Sequence, residues 1–226
     1  MTGSLTALAL AVLAFVGGHF VLSSPPLRRP LAGALGERAF AGAYSALMLA
    51  AFVWTVAAFR AAPYVPLWEL PRGARMIPVL VMPFACLLFV GSVTVRNPTM
   101  VMGAVAADPA PGMIKVTRHP MLWAFGLWAL AHLVVNGEAA ALLLFGGIAV
   151  LALAGTLAID AKLRARDSQG FARLAAVTSN LPLAALVAGR SRLRFADIGW
   201  WRLALAALLY VALIFAHPLL SGRTIA

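Results

Sequence analysis

The chain has 226 residues, of which 63% are hydrophobic and only 11% are charged, and its mean hydropathy is +0.94. This composition excludes an ordinary soluble domain and is typical of a protein that crosses a membrane several times. The single cysteine, Cys86, excludes a disulfide framework within one chain. The net charge of +11 comes from basic residues between apolar stretches, where they meet lipid headgroups, so we expect a lipid bilayer and no nucleic acid as partner.

Six apolar stretches predict six membrane-spanning helices within one domain, residues 1–226. The predicted spans are residues 5–22, 40–59, 76–95, 120–135, 139–159 and 200–220. Pro25 predicts a kink where the first helix continues towards Arg28, and Pro78 and Pro83 predict a broken third helix. The expected fold class is therefore all-α, a polytopic membrane bundle of about six helices.

The fourth span has clear boundaries. Pro120 suits a first helical turn, and Asn136-Gly137 is a plausible stop. Arg118 and His119 then lie at one mouth of the helix, and His132 lies about 18 Å further along its axis. An imidazole at that depth is costly without a partner, so His132 is a candidate functional residue. The alternative is a histidine that is hydrogen-bonded to a neighbouring helix.

The basic residues are distributed unevenly between the two sides of this predicted bundle. Thirteen lie in the loops of one side and four in those of the other, with Arg202 at a boundary. The larger set comprises Arg28, Arg29, Arg38, Arg96, Lys115, Arg118, Lys162, Arg164, Arg166, Arg173, Arg190, Arg192 and Arg194, and the smaller set comprises Arg60, Arg72, Arg75 and Arg223. Because basic loops stay in the cytoplasm, the bias predicts a bacterial inner-membrane protein with both termini in the periplasm.

His19 follows Gly17-Gly18 in the first span. Two glycines in front of a histidine allow something flat and bulky to approach the backbone, because no Cβ blocks it. Helical spacing places Phe15 and Val12 on roughly the same face as His19. The alternative interpretation is a close crossing of two helices through small residues, which is common in membranes.

The histidines indicate a haem site better than a zinc site. Paired imidazoles from facing helices suit haem iron, whereas a structural zinc site needs four ligands and the thiolates and carboxylates are badly placed. His119 and His132 project about 140° apart around their helix, so we expect His119 at the membrane interface, near lipid headgroups or a cofactor's polar edge. Asp160 and Asp167 are expected on a solvated surface, and His217 ends the sixth span.

An ordered series of short motifs runs nearly end to end along the chain. They are Gly18-His19, Asn97-Pro98-Thr99, Arg118-His119-Pro120-Met121-Leu122-Trp123, Leu130-Ala131-His132-Leu133, Thr178-Ser179 with Pro182, Gly189-Arg190 and His217-Pro218. This series resembles the NnrU family of membrane proteins, which is associated with nitrite and nitric oxide metabolism. It is also similar to the 15-cis-ζ-carotene isomerases, described as haem b proteins in which a ligand change on iron reduction switches on isomerisation.

The resemblance implies haem b ligated by His19 and His132, with Arg118 and His119 contributing to the cofactor site. It implies a redox- or nitric-oxide-linked role in denitrification, with a diatomic gas ligand or a membrane redox partner. If the protein is an enzyme, the resemblance implies a haem-dependent cis-trans isomerase of an apolar polyene. Those isomerases carry a cysteine three residues before the second ligand, where this chain has Ala129. The resemblance therefore supports a haem pocket better than ligand-switching catalysis.

Two alternatives stay open. Arg118-His119-Pro120 also resembles the isoprenylcysteine methyltransferases, which use S-adenosylmethionine, although Leu122 and Ala124 replace their Tyr and Gly. Counted from the cytoplasmic arginines, the first histidine of the proposed pair lies about 13 Å deep and the second about 21 Å deep. If helix tilt does not absorb that difference, His132 and His217 become the better ligand pair.

Overall fold

A computed structural model describes residues 3–95, 97–99 and 110–221, and this part of the chain contains ten α-helices and no β-strand. The helices are α1 (Leu5–Ser23), α2 (Pro25–Leu35), α3 (Glu37–Ala61), α4 (Met76–Val93), α5 (Pro120–Val135), α6 (Ala139–Arg166), α7 (Ser168–Val177), α8 (Ala184–Val187), α9 (Phe195–Ile198) and α10 (Trp200–Ser221). The predicted all-α fold class is confirmed.

Five helices of the described part are long and apolar enough to cross a bilayer: α1, α3, α4 with the turn before it, α6 and α10. Helix α5 is apolar but has only 16 residues, about 24 Å against a hydrocarbon thickness of about 30 Å. The chain is therefore a multi-pass membrane protein. The fourth predicted span is this shorter helix, because Pro120 and Asn136-Gly137 bound it closely.

The prolines act differently from the prediction. Helix α1 ends at Ser23, and Ser24 is extended, with φ −68° and ψ 140°, before α2 begins at Pro25. Pro25 therefore starts a separate helix rather than kinking a continuous one. Helix α4 is continuous through Pro83, and Pro78 lies in its first turn, where a missing N–H costs little. The predicted break of the third span is wrong.

The chain divides into two compact units. The first unit comprises Met1–Pro71 and His132–Leu151, and the second comprises Arg72–Ala131 and Ala152–Ala226. Each contains its own packed helices, so each is described separately.

In the first unit, α1 packs against α3. A Cβ added to Gly18 would lie 2.8 Å from Cε of Met48, so this glycine allows a close approach of the two helices. The first half of α6 also meets α1, since a Cβ on Gly147 would lie 2.5 Å from Cγ1 of Val12. At Gly18 the space without a Cβ thus holds a methionine from α3, as the helix-crossing interpretation predicted.

The turn between α5 and α6 is covered by the loop that follows α3. The backbone N–H of Leu67 donates to the carbonyl of Gly137 at 2.7 Å, and the indole N–H of Trp68 donates to the carbonyl of Val134 at 3.0 Å. A Cβ on Gly137 would lie 1.8 Å from the carbonyl oxygen of Trp68. The predicted helix stop is confirmed, and the glycine is required there because backbone approaches backbone.

In the second unit, α4 packs against α10, with Cys86, Val90 and Ala206 buried together. The hydroxyl of Tyr210 donates to the carbonyl of Val79 at 3.0 Å and ties the same two helices together.

Within this unit α5 also lies close to α6. A Cβ on Gly126 would lie 3.1 Å from Leu153, and one on Gly155 would lie 3.5 Å from Leu122. Small residues therefore bring α5 and α6 together, and this sets the position of the polar residues at their ends.

Candidate functional site

A buried polar cluster lies where α5 begins and α6 approaches its end, in the second unit. The Arg118 guanidinium donates from Nε to both carboxylate oxygens of Asp160, at 2.8 and 3.0 Å, and from Nη2 to Oδ2. The His119 Nε2 lies 2.8 Å from the other oxygen, Oδ1. One carboxylate thus holds two neighbouring basic side chains. The arginine binds it through two nitrogens, in the charge-assisted fork geometry that arginine favours.

The loops around the cluster are fixed by hydrogen bonds to Thr117 and Arg118. The Thr117 hydroxyl donates to the carbonyl of Asn180 at 2.6 Å, and the backbone N–H of Arg118 donates to the carbonyl of Ser179 at 2.9 Å. The Thr99 hydroxyl donates to the carbonyl of Arg118 at 3.0 Å. Three segments that are far apart in the sequence, at Thr99, Arg118 and Ser179, are therefore hydrogen-bonded to one another, and the Arg118 side chain joins them to the carboxylate of Asp160.

Two predictions about this region are wrong. His119 was expected near lipid headgroups or a cofactor's polar edge, but its side chain is fully buried, so it does not contact headgroups, and a contact with a cofactor stays a prediction. Asp160 was expected on a solvated surface, but it is only 7% exposed, whereas Asp167 is exposed as expected and caps α7. A carboxylate at this burial is tolerated because Arg118 neutralises it and both Arg118 and His119 donate to it.

A signal for Asp160 was present in the sequence. Residues 118 and 160 lie about equally far from the turn at Gly137, and two antiparallel helices joined by a tight turn bring such positions to the same level. Asp160 is also the first ionisable residue after a long apolar run.

The other ring nitrogen of His119, Nδ1, is buried and has no hydrogen-bond partner among the described residues. Since the carboxylate accepts, Nε2 carries the proton, and in the neutral ring Nδ1 is then an acceptor. A buried acceptor without a donor costs free energy.

In the first unit, His19 is partly buried in an aromatic setting. Its Nδ1 lies 2.7 Å from the carbonyl oxygen of Phe15, one helical turn earlier. Because a carbonyl only accepts, the proton is on Nδ1 and the lone pair is on Nε2, which is the arrangement of a metal-binding histidine. The rings of Phe15 and Tyr44 make edge contacts with the imidazole at 4.7 and 5.8 Å.

His132 belongs to the same unit. Its ring lies 5.4 Å from that of Phe145, tilted by 31°, and its backbone carbonyl accepts from the side-chain amide of Asn136 at 2.7 Å. Both histidines of the predicted ligand pair are thus in one unit, on partly buried aromatic surfaces. Arg118 and His119, predicted to serve the same cofactor, belong to the second unit, and their role towards it stays a prediction.

The aromatic contacts also show that the two imidazoles lie at different levels along α3. His19 contacts Tyr44, whereas His132 contacts Phe145, which contacts Phe59 at 6.3 Å. Tyr44 and Phe59 are 15 residues apart, about 22 Å along the helix axis. The donor chemistry fits haem at each histidine, and the difference in level makes the choice of the second ligand the point to test.

The thiol of Cys86 lies in the apolar core between α4 and α10. It is 2% exposed and packs with Val90 and Ala206. At position 129, one turn before His132, the side chain is the methyl group of a fully buried alanine. Among the described residues no group of three or more His, Cys, Asp or Glu could hold a metal ion.

Fold and site together define an all-α, multi-pass membrane protein with histidines on apolar helices and a buried Arg–His–Asp cluster. The model of the NnrU protein family matches residues 7–224. The chain therefore belongs to the NnrU family.

The relatives with curated names are plant enzymes. The chain is 31% identical over 116 residues to the chloroplastic 15-cis-zeta-carotene isomerase of Zea mays, and 32% identical over 119 residues to the enzyme of the same name from Arabidopsis thaliana. Each alignment covers 50% of this chain but only 32% of the relative's length. No solved structure matches the chain significantly.

Proposed function

We propose that this protein is a haem b protein of the bacterial inner membrane, in which His19 and His132 would hold the iron. The observation that carries the proposal is a hydrogen bond at His19. Its Nδ1–H donates to the carbonyl of Phe15, so Nε2 is the nitrogen that would bind the iron. A hydrogen bond from the other ring nitrogen fixes the tautomer of a metal-binding histidine and raises its basicity.

His132 belongs to the same unit, and the aromatic surroundings of both rings suit a haem. The two imidazoles lie at different levels along α3, which opposes ligation of one iron by both. Haem retention in the single variants therefore has to decide between the pair His19 and His132 and the pair His132 and His217.

Bound haem would supply one-electron redox chemistry. The residues of this chain would hold the iron and exclude water through Phe15, Tyr44 and Phe145. Membership in the NnrU family, with the association with nitrite and nitric oxide metabolism that the resemblance implies, supports a role in denitrification with a membrane redox partner.

The ligand assignment is tested by haem retention. Haem per polypeptide would be measured in purified wild type and in His19→Ala, His132→Ala and His217→Ala. We expect the first two variants to lose most of the haem, and His217→Ala, at the end of α10 and partly exposed, to keep it. Retention in both His19→Ala and His132→Ala would refute the site. Retention in His19→Ala with loss in His217→Ala would assign the iron to His132 and His217.

The proposed orientation places both termini in the periplasm, because the loops with thirteen basic residues belong to the cytoplasm. Reporter fusions at each terminus and after Arg173 test it. A cytoplasmic signal from the C-terminal fusion would contradict this topology.

A second candidate is a redox-gated cis-trans isomerase of a polyene, which the names of the plant relatives favour. Ala129 argues for weak activity, since a methyl group cannot replace a histidine on iron. Ala129→Cys should introduce thiolate signals that depend on the redox state, because positions three apart share a helix face. An unchanged spectrum in this variant would show that position 129 does not face the iron. Robust turnover of a cis-carotene by the wild type, only after reduction, would favour the isomerase.

A further inference from the structure

We propose that a cleft at the polar end of α6 binds the phosphate headgroup of an anionic membrane phospholipid. The cleft has a volume of about 490 Å³, within the usual range of ligand sites, about 300–1,000 Å³. It lies wholly in the second unit, so it goes beyond the haem proposal and does not depend on His19 or His132. Its lining includes Arg118, Trp123, Leu157, Arg164, Asn180 and Leu181.

The cleft has an excess of positive charge. The guanidinium carbons of Arg118 and Arg164 lie 5.6 and 4.9 Å from the centroid of the same ring, Phe171. Asp160, the one acidic residue that lines the cleft, already pairs with Arg118 through both oxygens. Among the described residues Arg164 has no ion-pair partner within 4 Å. Because Arg118 is compensated by Asp160, the excess charge is that of Arg164, and an anion beside Arg164 would be attracted to it.

The cleft also has an apolar end. Leu157, Ala161 and Arg164 lie on one face of α6, at spacings of four and three residues, so the face changes from apolar to cationic over about 10 Å. Leu157 is 66% exposed and Leu181 is 60% exposed. An anionic ligand with an acyl chain fits this order, because its head would meet the arginine and its chain would lie along the leucines.

The depth of the cleft matches the position of a headgroup. The basic residues follow directly after the apolar part of α6, as at the boundary between hydrocarbon and headgroups. The indole N–H of Trp123 donates to the side-chain oxygen of Asn180 at 3.4 Å. A tryptophan with an apolar ring and a bonded N–H is typical of that boundary.

Binding would be measured by native mass spectrometry of the full chain in a neutral detergent. The protein is titrated with phosphatidylglycerol, with phosphatidylcholine and with glycerol 3-phosphate. We expect phosphatidylglycerol to bind at least tenfold more tightly than either of the others. Arg164→Ala should weaken its binding by about tenfold, as expected for the loss of a charged hydrogen bond.

The matched control is Arg173→Ala, which removes the same charge from an exposed position of α7 outside the cleft. It should leave phosphatidylglycerol affinity unchanged, and both variants should keep the wild-type unfolding temperature. Equal affinity in wild type and Arg164→Ala, or equal losses in the two variants, would overturn the proposal. Tight binding of glycerol 3-phosphate would instead assign the cleft to a soluble phosphate, and tight binding of phosphatidylcholine would remove the role of net charge.

Discussion

At the scale of single residues, Asp160 holds the polar cluster of the second unit. Its carboxylate accepts from Arg118 and His119, and its side chain is 10% exposed. Removal of one partner from a buried ion pair costs about 3–5 kcal/mol, because the remaining charge stays buried without compensation. We therefore expect Asp160→Ala to lower the free energy of unfolding by about 3 kcal/mol, measured by denaturant unfolding in detergent.

The control for this prediction is Glu69→Ala. Glu69 is exposed in the loop after α3, and exposed substitutions change stability by only about 0.5 kcal/mol. Equal losses in the two variants would show that the Asp160 cluster does not stabilise the fold.

Residue-level prediction from the sequence succeeded where the cause was local. His19 and Phe15 were expected on one helix face, and their rings are in contact at 4.7 Å. It failed for Asp160 and His119, because their burial depends on two helices meeting. No local pattern states that the end of α6 lies beside the start of α5.

At the scale of elements, the turn between α5 and α6 depends on Gly137. A Cβ there would lie 1.8 Å from the carbonyl oxygen of Trp68, so backbone would have to move. We expect Gly137→Ala to destabilise the protein by about 1–3 kcal/mol, the usual cost of overpacking. Thermal unfolding would measure this effect.

Gly42→Ala is the matched control. Gly42 lies inside α3, and nothing lies within 4 Å of its added Cβ. Alanine in a helix interior is about 0.5–1 kcal/mol more favourable than glycine, so this variant should be slightly more stable. A neutral Gly137→Ala would mean that the loop around Trp68 does not constrain the turn.

A second element-level prediction concerns α9. The Lys115 ammonium lies 2.9 Å from the Asp197 carboxylate and links the 3-10 turn Gly112–Lys115 to this helix. The backbone N–H of Arg194 and then the Lys115 side chain lower the pKa of Asp197. A carboxyl whose pKa is lower when folded stabilises the fold above its unfolded pKa, about 3.9, and loses this effect as pH falls through the folded value.

We therefore expect wild type to unfold at a higher temperature than Asp197→Asn at pH 7. The difference should shrink as the pH is lowered below about 4. A difference that is the same at pH 7 and pH 3 would contradict the ionic origin of the link.

The helices themselves were largely predictable from the sequence, since long apolar runs with polar boundaries define them. The stop at Asn136-Gly137 is confirmed by the end of α5 at Val135. The roles of Pro25 and Pro83 were not predictable, because a proline starts, kinks or fits a helix according to its neighbours. The short helices α7, α8 and α9 lie in the long polar segment, where the sequence predicted no element.

At the scale of the whole molecule, family membership and the multi-pass membrane fold are shown, and haem is the central claim. The two histidines of the ligand pair belong to one unit. Two neutral imidazoles can hold both iron states. The methyl group of Ala129 cannot replace a histidine on the iron, and Cys86 is buried among residues of α4 and α10. We therefore expect the same two ligands before and after reduction.

The absorption spectrum of the purified protein in its oxidised and reduced forms tests this claim most directly. We expect a Soret band in both forms, sharp α and β bands on reduction, and low-spin bis-histidine features throughout. The absence of a Soret band, or a thiolate-ligated signal in either form, would contradict it.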